Sequence, residues 1–260
     1  MVSLKEAMDQ LAASGDAPEL SSLQPSRLGS KAHWDSVRLK PLCEWITNPN
    51  RNVYEREVKT FDEIGDEGEV WFGEESADKM VEWIEEHMSD HATGILDVGT
   101  GNGQLLFALA EAGYSDLTGV DYSAPSTILA QNIARSRKLE SSPTFVTGDI
   151  LDSSATISGV TDRQWKLITD KGTMDAICLS DEERDGQRIG QLYPAAISRL
   201  LEVGGIFLIT SCNFTRAELE KAFVTDSTGF DFHSHVPRPT FAFGGSTGSS
   251  ITTVAFERKR

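Results

Sequence analysis

Three acids, each closing a short apolar run, are the side chains of this chain best placed to do chemistry. Asp97 lies within ILDVGTGNG at 95–103, where glycines at 99, 101 and 103 follow a β-branched run and lead into the apolar stretch that starts at Gln104. Alternating glycines permit backbone conformations that side chains forbid, so this reads as a buried strand, a tight turn and a helix whose first amides face the turn. Gly99, Gly101 and Gly103 then let a small polar ligand approach the main chain. Asp121 ends a second apolar run from Leu117 and lies 18 residues after Gly103, about where an acid accepts hydrogen bonds from ribose hydroxyls in open α/β folds. Asp149 follows a third run, Thr144 to Val146, and suits an adenine amino group. The G-x-G-x-G spacing is one residue short of the pyrophosphate-binding pattern, which counts against a dinucleotide.

Parallel strands with intervening helices are the elements that bring such acids to one edge. The turn, the ribose acid and the adenine acid, in that order and with roughly even strand spacing, resemble the seven-strand S-adenosyl-L-methionine methyltransferases. That resemblance implies an α/β fold with a Rossmann-like, mostly parallel sheet, and makes Tyr122 and Ile150, the neighbours of Asp121 and Asp149, further cofactor-binding candidates. The alternative roles stay open: Asp121 as a helix cap and Asp149 as a loop acid.

The pattern predicts a helix over 74–89 with Met80, Val81, Trp83, Ile84 and Met88 on one face. A fourth strand, Trp165 to Thr169, is expected to end in Asp170, followed by Lys171 and Gly172. A helix over 188–202 tolerates Pro194 only with a kink or a late start, and Gly204 with Gly205 precede a strand from Ile206 to Thr210. A helix starts within 213–224. The last strands, Phe230 to Val236 and Ile251 to Glu257, have no helix between them and are read as an antiparallel hairpin with a long glycine-rich loop.

At 260 residues and 39% hydrophobic content the chain suits one α/β domain, assigned to 25–260, with a flexible tail over 1–24. Cys43, Cys178 and Cys212 have no metal or disulfide spacing, so no metal is expected and a reducing compartment is the simpler expectation. There is no signal-like or membrane-length apolar run. The chain is accordingly expected to be cytoplasmic, without a membrane partner, and monomeric. Its formal charge of −16 disfavours nucleic acid and favours a basic protein partner.

The strings GDEGEVWFGEES at 65–76, DKGTMD at 170–175, TSCNFT at 210–215 and PTFAFGG at 239–245, with LGSK at 28–31 and HWD at 33–35, resemble the protein-lysine methyltransferases that modify translation elongation factor 1-alpha. The resemblance implies methylation of a lysine ε-amine on that folded protein, without a metal. It covers 25–36 and 53–260. Between them, 37–52 stands as an insert relative to the family, either a surface loop or translated intron sequence. Pro41, Pro49 and the interrupted helix-like approach to Tyr54 favour the latter.

Methyl transfer to lysine needs a neutral amine in line with the sulfonium, and deprotonation of a free lysine near neutral pH costs about 4 kcal/mol. Asp170, at its strand end, is the candidate acceptor for the amine protons; capping the next turn or touching only the cofactor are its alternatives. Trp71, Phe72 and Gly73 are read as an aromatic lid over the cofactor's methionine end or a wall of the lysine channel, against plain core packing. Asn213 is a substrate candidate or a helix cap. Phe243 shapes a substrate groove or turns a hairpin. Small-molecule methylation, and a cofactor-binding assembly partner without catalysis, are the competing functions.

Overall fold

The computed structural model describes residues 53–139, 142–184, 186–238, 241–243, 246–248 and 251–260; the expected tail at 1–24 and the insert at 37–52 lie outside them. Helix α1, Val53–Ile64, places Tyr54, Val58 and Phe61 on one face at helical spacing, and that face packs on the core. Helix α2, Glu74–His87, starts at Gly73, whose φ of 76° suits glycine, and buries Met80, Trp83 and Ile84. Then follow β1 (Ile95–Val98), α3 (Gln104–Glu111), β2 (Leu117–Asp121), α4 (Ala124–Arg137) and β3 (Thr144–Thr147). The second half contains β4 (Trp165–Lys171), α5 (Thr173–Cys178), a short ribbon of β5 (Glu183–Arg184) and β6 (Gln187–Arg188), and α6 (Ile189–Leu200). It closes with β7 (Leu201–Ser211), α7 (Arg216–Phe223), β8 (Phe230–His235), β9 (Phe241–Phe243), β10 (Ser246–Gly248) and β11 (Thr252–Arg258).

The principal sheet has seven strands in the order β3-β2-β1-β4-β7-β11-β8. The first five are parallel, and β11 is antiparallel to both β7 and β8. The predicted C-terminal antiparallel pair is therefore present, with β11 inserted between β7 and β8. The intervening glycine-rich stretch contains a second ribbon, β9–β10. Helix α6 starts at Ile189 and passes through Pro194. Strand β7 begins at Leu201, before the glycine pair, and the pairing with β4 shifts register between Trp165 and Leu167.

Alternate strand residues supply two cores, one on each face of the sheet. On one face Ile95, Leu117, Phe145, Leu167 and Leu208 meet α2, α3 and α4. On the other, Leu96, Val98, Val120, Ile168 and Phe207 meet α5, α6 and α7. The chain passes from β1 outward to β3, then returns to the other side of β1 with β4. The carboxyl ends of β1 and β4 thus form the switch point at which open α/β sheets hold ligands.

Candidate active site

The glycine turn leaves β1 at this switch point. Gly99 has φ of 65°, and a Cβ there would lie 2.0 Å from Thr173 Oγ1, so both conformation and space demand glycine. Thr173 Oγ1 itself donates to the Val98 carbonyl at 2.7 Å, which binds the start of α5 to the end of β1. Gly101 has φ of 56°, and its open Cα side faces the Tyr54 hydroxyl, 3.0 Å from where a Cβ would be. Gly103, in the left-handed region, is the N-cap of α3.

The turn's amides are largely committed within the fold. Those of Gly99 and Thr100 donate to the Val120 carbonyl, that of Gly103 to the Thr100 carbonyl, and that of Gly101 to Asp121 Oδ2 at 3.0 Å. The other Asp121 oxygen accepts from the Ser123 amide at 2.8 Å. The glycine turn and the α4 entry together aim this carboxylate at the β1–β2 edge. Ser123, rather than Asp121, is the N-cap of α4. Tyr122 is half-buried beside it.

Asp97 is buried and accepts from Thr169 Oγ1 at 2.7 Å on the neighbouring strand. Burial raises its pKa to about 6, opposed by the Thr169 hydrogen bond and by the Lys171 charge. Lys171 shares that face of the sheet. Burial depresses its ammonium, the Asp97 and Asp170 carboxylates act in the opposite sense, and Nζ donates to the Trp71 carbonyl at 2.9 Å.

That bond ties the Trp71-Phe72-Gly73 segment over the β4 end. Phe72, at φ 63°, sets its ring against Gly172, where a Cβ would meet Cζ at 2.8 Å. Trp71 and Phe72 are half-buried with ring centroids 6.3 Å apart, and Gly73 is exposed. The segment before them is held as well. Asn102 Nδ2 donates to the carbonyls of Glu67 and Glu69, Gln104 to Glu67, and Arg137 makes an ion pair with Glu67.

Asp149 does not stand alone at the β3 end. Its Oδ2 accepts from Arg184 at 2.7 Å, its Oδ1 from the Leu151 amide at 2.9 Å, and Arg184 also bridges to Glu182. The β5–β6 ribbon, which sequence periodicity does not announce, delivers that guanidinium. Ile150 packs its side chain into the α6-side core, and its carbonyl accepts from Arg199 at 3.0 Å.

Asp170 requires a correction. Strand β4 continues to Lys171, so Asp170 is an interior strand residue paired with Val98 and Ile209 rather than the acid that closes the strand. Alternation turns it away from Asp97, Thr169 and Lys171 and toward α5 and α6. There it is wholly buried and accepts from the Thr173 amide (2.7 Å), the Met174 amide (3.0 Å) and the Tyr193 hydroxyl (2.5 Å). Burial pushes its pKa up to about 7 against the opposing Tyr193 bond. This is the capping placement, and it removes Asp170 as acceptor for a substrate amine.

Asp175, not singled out by sequence, organises the turn after β7. It accepts from Ser211 Oγ at 2.6 Å and from the Cys212 and Asn213 amides, each at 3.1 Å. Burial raises its pKa to about 6 despite these bonds. The cap of α7 is Thr215, in a capping box with Glu218, so Asn213 is not the cap. It stands half-buried on the β7 edge, next to the β4 edge covered by Phe72. Phe243 ends β9 in the separate ribbon. Cys178 and Cys212 are free thiols, and burial raises the pKa of Cys212 to about 12. Among the described residues no group of three or more metal-ligating side chains occurs, and no helix is long and apolar enough to cross a membrane.

A family model described as a methyltransferase domain matches residues 89–241. The chain is 44% identical to the protein-lysine N-methyltransferase efm4 of Schizosaccharomyces pombe, over 92% of this chain and 97% of that protein. It is 38% identical to EEF1A lysine methyltransferase 2 of Homo sapiens, over 93% and 91% respectively. Among solved structures, the magnesium protoporphyrin IX methyltransferase of Synechocystis with bound SAM superposes with a TM-score of 0.55 at 14% identity. It spans 87% of this chain and 94% of that one, a likeness of fold.

Proposed function

The chain belongs to the family of protein-lysine N-methyltransferases that includes efm4 and EEF1A lysine methyltransferase 2, and from that premise we propose that it transfers a methyl group from S-adenosyl-L-methionine to a lysine ε-amine of translation elongation factor 1-alpha. The observation that carries the reading is the meeting of the glycine turn with a carboxylate, in which the Gly101 amide holds Asp121 at the strand edge. Fixed there, Asp121 is an acceptor for the ribose hydroxyls.

The donor set fits the group. Asp97, Asp121 and Asp149 supply acceptors for a cofactor with donors along its length: an ammonium, two hydroxyls and an adenine amine. Gly99 and Gly103 shape the turn by packing against Thr173 and Phe145, and Gly101 offers its Cα side, in front of the Tyr54 hydroxyl, for the approach of the ligand. Asp149, ion-paired to Arg184, serves the adenine, and Tyr122 and Ile150 flank the nucleoside. When bound, S-adenosyl-L-methionine supplies an electrophilic methyl on a sulfonium.

The chain's own task is to orient a neutral lysine and exclude water. Phe72, over the β4 end, and Asn213, just past the end of β7, wall the lysine path, and Phe243 is assigned to the same substrate. Trp71 and Gly73 close the methionine end. A formal charge of −16 suits a basic protein substrate rather than nucleic acid, and the free thiols accord with a cytoplasmic setting. The enzyme is read as a monomer without a membrane partner.

Purified chain, methyl-labelled cofactor and elongation factor 1-alpha should yield methyl-lysine in that protein, and Asp121→Ala should abolish the transfer. Label confined to RNA or small molecules, or no label at all, refutes the proposal.

A further inference from the structure

The family model begins at residue 89, yet the glycine turn is covered by a helix that precedes it. Tyr54, Val58 and Phe61 seat α1 against the core, and α1 packs along α4. The seating directs Tyr54 end-on at the turn. A Cβ on Gly101 would lie 3.0 Å from the hydroxyl oxygen and 4.0 Å from the carbon behind it, so the polar end leads.

Donor accounting gives this contact a purpose. Of the turn's amides, those of Gly99, Thr100, Gly101 and Gly103 already have acceptors in the fold. The three strand-edge carboxylates accept and cannot donate. A cofactor carrying a carboxylate at its methionine end can therefore use a donor that reaches the turn from outside it.

We propose that Tyr54 completes the cofactor site from α1, donating its hydroxyl to the carboxylate of the methionine moiety in front of Gly101. The inference rests on the cofactor reading above and adds a residue and a partner atom to it. The phenol is suited to the task. Burial, with the Asp121, Glu57 and Tyr122 charges, holds its pKa well above that of ordinary tyrosine, so it remains a neutral donor.

The segment from α1 to α2 holds Tyr54 in place. A Cβ on Gly68, at φ 83°, would lie 3.1 Å from the Glu57 carboxyl one turn after Tyr54, and Glu67 is ion-paired to Arg137 on α4. The hydroxyl is presented by a braced segment rather than by a free arm.

The test pairs Tyr54→Phe with S-adenosyl-L-methionine and its decarboxylated form, with affinities measured by calorimetry or competition. Tyr54→Phe keeps the packed ring and removes only the hydroxyl. The parent protein should prefer the carboxylated ligand, and Tyr54→Phe should lower that preference about tenfold or more, the size of a hydrogen bond to a charged group. A preference unchanged in Tyr54→Phe, or a loss equal for both ligands, overturns the assignment. Asp121→Ala separates the two levels: ribose is common to both ligands, so it should weaken both alike. If Asp121→Ala binds both as the parent does, the cofactor reading fails and Tyr54 falls with it.

Discussion

Replacing Asp170 by Asn separates a structural carboxylate from a catalytic one. The side chain accepts from two α5 amides and the Tyr193 hydroxyl. The carboxamide keeps one acceptor for the Thr173 amide but turns a donor toward Met174. Tyr193 can rotate to accept, which leaves one buried amide orphaned at a cost of about 1–3 kcal/mol. The pH dependence supplies a second reading. Burial holds the folded pKa at about 7, above the value of about 3.9 in an unfolded chain. A carboxyl raised in this way contributes stability that is fully present below the unfolded value and lost as pH rises through the folded one. The Asn variant has no such loss, so the stability gap between parent and variant should narrow by about 1 kcal/mol between pH 6 and 8. Asp97 and Asp175 titrate in both proteins and cancel to first order. Urea unfolding at the two pH values reads the gap, and single-turnover transfer at saturating cofactor and pH 8 reads the chemistry. The rate should fall less than about tenfold. A gap that stays constant or widens, or a fully stable variant whose transfer is slowed a thousandfold, would return Asp170 to the amine.

Three further outcomes follow from the same geometry. Asp97, held at about 6, is ionised in the free enzyme above that pH and neutral below it. Affinity for the cationic cofactor should therefore fall as pH drops through 6, and calorimetry giving one affinity from pH 8 to 5 would dissociate Asp97 from the ligand. Lys171→Met removes a positive charge that lowers the Asp97 pKa and cuts the tie to the Trp71 carbonyl. The midpoint of that affinity profile should move to higher pH, and an unmoved midpoint argues against the coupling. Gly99→Ala places a methyl 2.0 Å from Thr173 Oγ1 at a positive φ; destabilisation of about 2 kcal/mol or more in chemical unfolding is expected, and a neutral result would contradict the close approach.

The parts legible in the sequence were those with local signatures. Apolar runs of strand length, the glycine turn after Val98 and the acids at 97, 121 and 149 placed β1, β2 and β3 within a residue or so of their observed ends. The contacts that shape the site join residues far apart in the chain and carry no local mark. Glu67 reaches Arg137, Lys171 reaches the carbonyl of Trp71, and Arg184 reaches Asp149 from a two-residue strand. Tyr54 belongs to the same class: the spacing to Val58 and Phe61 is a helical signal, but nothing in it says that the face lies over Gly101.

Asp170 shows why an acid at the end of a buried parallel strand is ambiguous. Both faces of such a strand are covered, so the run is apolar throughout and lacks the alternation that would say which way a given side chain points. A strand that closes at Asp170 leaves this acid free to face the crevice; pairing that continues through Lys171 fixes it on the opposite face. The discriminating signal was available only as a pair. Asp97 and Thr169 occupy one register position on adjacent parallel strands, so Asp97 and Lys171 share a face and Asp170 must take the other. The same parity places Lys171, rather than Asp170, between the strand-end acid and the aromatic segment. The electrostatics of the crevice therefore rest on a buried ammonium held by a main-chain carbonyl, and the carboxylate next to it in sequence serves the fold from behind the sheet.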